Sequence, residues 1–262
     1  MLINRLSIPH LALKRQNGAL SAPHVRKSPP TLKLILYKAR RRRPDRTITG
    51  PRLQLSAIFR YTSTPSIMSK FEHALQRIDA AHKDDPNTIT INDTTIPYEF
   101  HYAQKMTDYL IRLNPHASDT LRLAIRAQHL RRWEIPRASY PATKVGYHAW
   151  RGELQRRQAK LAEDICLESG YAPEEAARVS ALIRKADLKK GDTDTQTLED
   201  VACLVFLDDQ FDKFESDLGD EDKIIDILKK TWAKMSEAGR KEALKINLSE
   251  RGNALVQKAL SS

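Results

Sequence analysis

From Ser69 to the C-terminus the apolar residues of this 262-residue chain recur three and four apart, and before Ser69 they do not. Phe71, Ala74, Leu75 and Ile78 share one helix face at that spacing. The same period predicts helices over residues 99–113, from Ser118 or Asp119 to about Trp133, over 147–169, from Pro173 onward, and over 196–216. Two or three more fall between Asp220 and the end, punctuated by Gly239 and Gly252. Stop and start residues agree with these spans. Gly170 is a left-handed stop, and Pro173 with Glu174 and Glu175 makes a first turn suited to the positive end of a helix. Residues 88–91 alternate like a short strand, but with no evident partner they read as loop. Strands do not alternate with helices as a parallel sheet requires, so the fold class is all-α, a single helical domain over residues 68–262.

The segment before that domain has a different character. Residues 1–67 hold fourteen Lys and Arg against one acid, Asp45, whereas the rest of the chain holds thirty bases and thirty-two acids. The net charge of +11 therefore belongs to the extension, and the domain's near-neutral balance argues against a broad nucleic-acid face. An Arg-, Ser- and Pro-rich stretch with so little to bury is expected to be disordered. Three readings of it stand. It is a mitochondrial presequence ending just after Arg60, or it lies upstream of a true start at Met68, or the run Arg40-Arg41-Arg42-Arg43 is a nuclear or nucleic-acid patch. The first places the protein in mitochondria and the second in the cytoplasm. Two cysteines, Cys166 and Cys203, make neither a disulfide framework nor a four-thiolate zinc site. The longest apolar run outside the helices, residues 32–37, is interrupted by Lys33, which excludes a membrane span.

Polar residues inside the apolar stripes mark a candidate site. His129 follows Leu121 and Ile125 at intervals of four, and Asp200 shares a stripe with Leu204, Leu207 and Phe211. A buried carboxylate is costly without a metal, a cation or hydrogen-bond donors. With Glu199 and Lys185 as further candidates, a polar site within a helical core stands against a plain structural histidine. A second cluster is Arg131-Arg132-Trp133-Glu134-Ile135-Pro136-Arg137 with Tyr140, Tyr147, Trp150 and Arg151. Arginine beside aromatic faces suits an anion, a nucleotide or RNA; the same residues equally suit a cation–π brace pinning a proline-rich connector. Phosphate-cradling glycine loops, HExxH and GxSxG are absent.

Several of these stretches carry a resemblance. His82-Lys83-Asp84-Asp85-Pro86, Gln128-His129-Leu130-Arg131-Arg132-Trp133-Glu134-Ile135-Pro136-Arg137, Gly146-Tyr147 with Trp150-Arg151, and residues 196–207 resemble a bacterial and fungal family of uncharacterised domains, from Met68 to the end. Fungal members often bear the label glutamyl-tRNA synthetase. This chain lacks the HxGH signature and nucleotide-binding fold that the label requires, and Lys234-Met235-Ser236 is its nearest approach to a KMSKS loop. More distantly, the chain is similar to the HD superfamily of metal-dependent phosphohydrolases. That resemblance implies an HD-like helical array and a divalent metal ion held by His101, His129 and Asp200. The doublet aspartate is replaced by Leu130, and Gln158 stands where the pattern has a histidine, so the implied site is degenerate. The resulting expectation is an anionic, phosphorylated small ligand held by Arg132, Trp133, Arg137, Tyr140, Tyr147, Trp150 and Arg151, with Lys185 and Glu199 as catalytic candidates. Its rival is a non-catalytic module that binds RNA or protein.

Overall fold

The structure, a computed structural model, describes residues 68–261; the basic extension and the readings attached to it lie outside the described residues. Helix α1, Lys70–Lys83, opens on a capping box. Ser69 Oγ accepts from Glu72 N, and the Glu72 carboxylate accepts from Ser69 N at 2.9 Å. Its buried apolar residues, Ala74 and Ile78, belong to the predicted face, and Phe71 and Leu75 pack beside them.

The next segment departs from the sequence reading. Thr88–Ile91 (β1) is a strand, paired antiparallel with Thr94–Pro97 (β2) in the register Ile89 to Ile96 and Ile91 to Thr94. The partner was adjacent all along. Asn92 and Asp93 both take left-handed φ, +48° and +63°, as a two-residue hairpin turn of that hand requires. The hairpin leads into α2, Tyr98–Leu113, which packs on α3, Asp119–Ala127. Ser118 caps α3, and Leu121, Leu123, Ala124, Ile125 and Ala127 are all buried, because α3 also touches α1, α4 and α5.

Helix α3 stops some six residues before the sequence predicts. Past Gln128 the chain turns through Arg131, whose φ is +51°, into a 3₁₀ turn over Arg132–Glu134. The connector that follows lies against α4, Lys144–Glu168, so closely that a Cβ on Gly146 would meet the Pro141 carbonyl oxygen at 2.3 Å. Helix α5, Pro173–Ile183, returns along α4.

Helix α6, Thr193–Val205, starts earlier than the period suggests, because Asp192 caps it by accepting from Thr195 N at 2.8 Å. It packs on α2, α3 and α5 on one side and reaches the C-terminal helices on the other. A π-helical turn over Phe206–Gln210 inserts a residue before α7, Phe211–Leu218, so that Phe206, Leu207 and Phe211 all stay buried. Helices α8, Glu221–Lys234, α9, Glu237–Ala243, and α10, Glu250–Ser261, complete the mostly helical fold. Among the described residues no helix is long and apolar enough to cross a membrane.

Candidate functional site

The early end of α3 has a cause in α2. Glu99, in the first turn of α2, is buried, and its carboxylate accepts from Arg131 N at 2.9 Å and Arg132 N at 2.7 Å. Left-handed φ at Arg131 turns both N–H groups toward one acceptor, and the helix is given up in exchange. On its other side Glu99 Oε2 lies 3.0 Å from His82 Nδ1. His82 Nε2 faces the Arg126 carbonyl oxygen at 2.8 Å, an oxygen that can only accept, so Nε2 carries a proton. One proton is then shared between Nδ1 and the carboxyl. Burial pushes the Glu99 carboxyl up, against the pull of His82 and the Arg132 N–H. Asp85 accepts from Glu99 N at 2.9 Å, and Arg131 pairs with Asp84 at 2.7 Å. The His82–Asp85 and Arg131–Arg132 stretches are thus two sides of one joint.

The connector is braced by the same region. Trp150 is buried, donates from Nε1 to the Ile135 carbonyl at 2.8 Å, and lies 4.7 Å from the Arg132 guanidinium and 5.9 Å from that of Arg137. Arg137 is further committed to the carbonyls of Tyr140 (2.9 Å) and Pro141 (2.8 Å). Trp150, Arg137 and the Tyr140 carbonyl therefore form the brace that the sequence offered as one of two readings, and Trp133 sits half-buried on the 3₁₀ turn.

Beside the brace is a small cleft, open to solvent, lined by Gln128, His129, Arg151, Lys185, Glu199 and Lys234 among others. Four of the sequence candidates, His129, Arg151, Lys185 and Glu199, meet there. His129 arrives from the turn after α3 and stacks on Tyr102, with ring centroids 4.5 Å apart, rather than riding the α3 face with Leu121 and Ile125. Arg151 lies one turn after Tyr147 on the same face of α4. Among the described residues Arg151 has no hydrogen-bond or ion-pair partner. Arg132 adjoins it: its Nη2 is buried without a hydrogen-bond partner, and so are the Tyr147 hydroxyl and Gln128 Oε1. Burial, then repulsion from Arg151, lowers Arg132 to about 10.

Lys185 reaches the cleft from the end of α5. Its N–H bonds the Leu182 carbonyl at 2.9 Å and Ala186 N bonds the Ala181 carbonyl at 3.1 Å, which is a Schellman turn with lysine, φ +53°, at the left-handed position. Its ammonium pairs with Glu199 Oε2, while Lys234 Nζ stands 3.7 Å from Oε1. Burial pushes Glu199 up, but the charges of Lys185 and Lys234 outweigh it and hold the carboxyl down at about 2. The lysine side does not mirror this. Lys234 is lowered, because burial and the repulsion of Lys185 and Arg151 exceed the attraction of Glu199. Burial, with Glu199 close by, raises the Cys203 thiol to about 12, so it stays protonated.

A pH dependence follows. Glu199 titrates near 2 when folded and near 4.5 when unfolded, so its pairing adds stability above pH ~4.5 and loses it as pH falls toward 2. Urea unfolding of wild type and Glu199→Gln at pH 6, 4 and 3 should show wild type losing about 2 kcal/mol more than the variant by pH 3. Parallel losses in the two proteins would rule the pairing out as the source.

The remaining candidates lie elsewhere. Asp200 is buried as expected but turns away from the cleft, accepting from Ser236 N at 2.8 Å, Ser236 Oγ and Gln196 Nε2 at 2.9 Å. It holds the start of α9, where a Cβ on Gly239 would come within 2.7 Å of its Cγ. His101 Nε2 lies 3.4 Å from Asp209 Oδ1, a carboxylate also engaged by Tyr98 Oη at 2.7 Å and Lys105 at 3.3 Å. His101, His129 and Asp200 thus each belong to a different setting. Among the described residues no group of three or more His, Cys, Asp and Glu is placed to hold a metal ion. Sequence reasoning missed Gln128, Gln210 and Lys234. Lys234 ends α8, and Gln210 is delivered by the π turn, whose paired acids Asp208 and Asp209 inside an apolar stretch were the only advance sign.

No curated protein and no solved structure matches the chain. A family model does match, over residues 72–256, and that span includes both sides of the Glu99 joint, the brace and every residue lining the cleft. The chain belongs to the DUF4202 family, described as a domain of unknown function.

Proposed function

We propose that the domain binds a small phosphorylated anion in the cleft between α4, α6 and the turn after α3. The observation that carries this reading is the Arg151 guanidinium, facing the cleft with no hydrogen-bond or ion-pair partner among the described residues and with a second guanidinium, Arg132, next to it. Two adjacent guanidinium groups repel each other, and an anion between them relieves the repulsion through forked, charge-assisted hydrogen bonds. Lys185 and Lys234, paired with Glu199, add positive charge to the cleft wall.

The HD-like array and the metal-assisted hydrolysis that the distant resemblance implies are not part of this proposal. Asp200 already accepts from three protein donors, and His101 and Asp200 do not share a setting with His129, so these residues do not fit the group. Glu199, held near 2, is too weak a base and no acid at neutral pH, which assigns it to positioning the two lysines. The glutamyl-tRNA synthetase label gains no support, because nothing in the cleft reproduces that chemistry.

Thermal shifts of the full chain and of Arg151→Ala, with and without a panel of phosphorylated metabolites, test the reading. At a hundredfold excess over Kd a ligand stabilises the wild type by about 2.7 kcal/mol, a shift of several degrees. Arg151→Ala should melt at or above the wild type when free and lose at least about tenfold in affinity. A wild type unmoved by every anion in the panel overturns the proposal.

A further inference from the structure

We infer that the cleft selects the terminal phosphate of a monoester, a dianion with three free oxygens, over a phosphodiester. This rests on the anion-binding reading and deepens it by fixing the class of anion. The first argument is charge. Histidine apart, the charged side chains lining the cleft are Arg151, Lys185, Lys234 and Glu199, three positive and one negative, which leaves +2. Cys203, also in the lining, stays a neutral thiol, and Arg132 adds to the field only from outside the lining. A phosphomonoester carries a charge near −2, whereas each phosphodiester carries −1. Only the monoester balances the lining. The balance matters because Lys185, Lys234 and Glu199 are 16%, 24% and 9% exposed, so water screens them less than it would on an open surface. Burial lowers Lys234, and repulsion from Lys185 and Arg151 adds to the effect against the attraction of Glu199. A dianion among these cations supplies the negative charge that Glu199 alone does not.

The second argument is placement. The cations come from three helices: Arg151 on α4, Lys185 just past the end of α5, and Lys234 as the last residue of α8. Lys185 and Lys234 are gathered by the two oxygens of one carboxylate, Glu199 on α6. Each ammonium has three N–H groups, more than that carboxylate can take up. Arg151 acts on both Glu199 and Lys234, and its own fork is uncommitted within the protein. A monoester offers three terminal oxygens, one to each cation. A diester offers two and turns its second ester arm toward the third.

Calorimetric titration of the full chain with methyl phosphate, dimethyl phosphate and methyl sulfate tests this at about pH 7.5, where a phosphomonoester is close to −2 and an ordinary imidazole is mostly neutral. Methyl sulfate separates charge from shape, because it has three terminal oxygens and a charge of −1. Methyl phosphate should bind wild type at least about tenfold tighter than either of the others. Lys234→Met leaves the Lys185–Glu199 pair in place and takes one charge from the lining. In that variant the advantage of methyl phosphate should shrink to within about threefold. Equal affinities for methyl phosphate and dimethyl phosphate in wild type overturn the monoester inference and leave the anion reading standing. Methyl sulfate binding as tightly as methyl phosphate overturns the charge balance on which the inference stands, and so does a preference undiminished in Lys234→Met. No binding of any probe removes both readings. If the variant does not fold, the wild-type ratios alone decide.

Discussion

Glu99→Ala should cost the domain about 3–5 kcal/mol, measured as the shift in urea midpoint at constant m. The side chain is almost wholly enclosed, and its two oxygens serve three donors on two different segments. Alanine leaves the N–H groups of Arg131 and Arg132 without an acceptor and His82 without the partner of its Nδ1. It also removes the reason for the left-handed turn at Arg131, so α3 is free to continue in a direction that the connector cannot follow. Glu99→Gln separates these effects. The amide keeps one acceptor oxygen and can donate to Nδ1, so only one backbone bond is lost and about 1–2 kcal/mol is expected. With a total stability of roughly 5–15 kcal/mol for a domain of this kind, the alanine variant stands near the limit of folding at all. A loss below about 1 kcal/mol for alanine would show that the joint is not what holds the turn.

Trp150→Ala should be of similar size, about 3–5 kcal/mol, through a different cause. The indole is 2% exposed and is the largest side chain enclosed by the fold. It fills the space between α4 and the connector while two guanidinium groups lie against it. Removing it leaves a cavity, an unpaired Ile135 carbonyl and two arginines without a surface to stack on. Trp150→Phe keeps much of the packing and loses the Nε1 hydrogen bond, for which about 1–2 kcal/mol is expected. Amide exchange should then speed up over residues 132–141 before any other segment, because Trp150 is the buried side chain against which that connector lies. Uniform acceleration across the domain would mean that Trp150 supports the whole core rather than the brace.

The elements that could be read from the sequence were those whose signals are local. Ser69, Ser118, Gly170 and Pro173 act within one turn of where they stand, and the helices they bound are found there. The end of α3 was not legible, because the residue that terminates it, Glu99, is some thirty positions away and the apolar period runs on through His129. The hairpin was missed for a smaller reason: Asn92-Asp93 is a weaker turn signal than one with glycine, and half of the second strand is polar. Of the candidate site, His129, Glu199 and Lys185 stood out with the apolar stripes and Arg151 as part of the arginine–aromatic cluster, and all four line the cleft. Asp200 looked the same in sequence, yet one position along the helix from Glu199 turns its side chain by about 100° toward α9. Lys234 gave no sign, since only the packing of α8 against α6 brings it to Glu199.

The Schellman turn at Lys185 bears on how this domain could be altered. Left-handed backbone suits glycine, and a lysine held there costs on the order of 1 kcal/mol by comparison. Part of that is offset by the ion pair with Glu199, so the position sets backbone ease against the charge delivered to the cleft. A redesign that maximised thermal resistance would write glycine at 185 and improve the turn while stripping an ammonium from the cleft wall. Position 185 is therefore where backbone ease and the positive charge of the cleft wall pull in opposite directions.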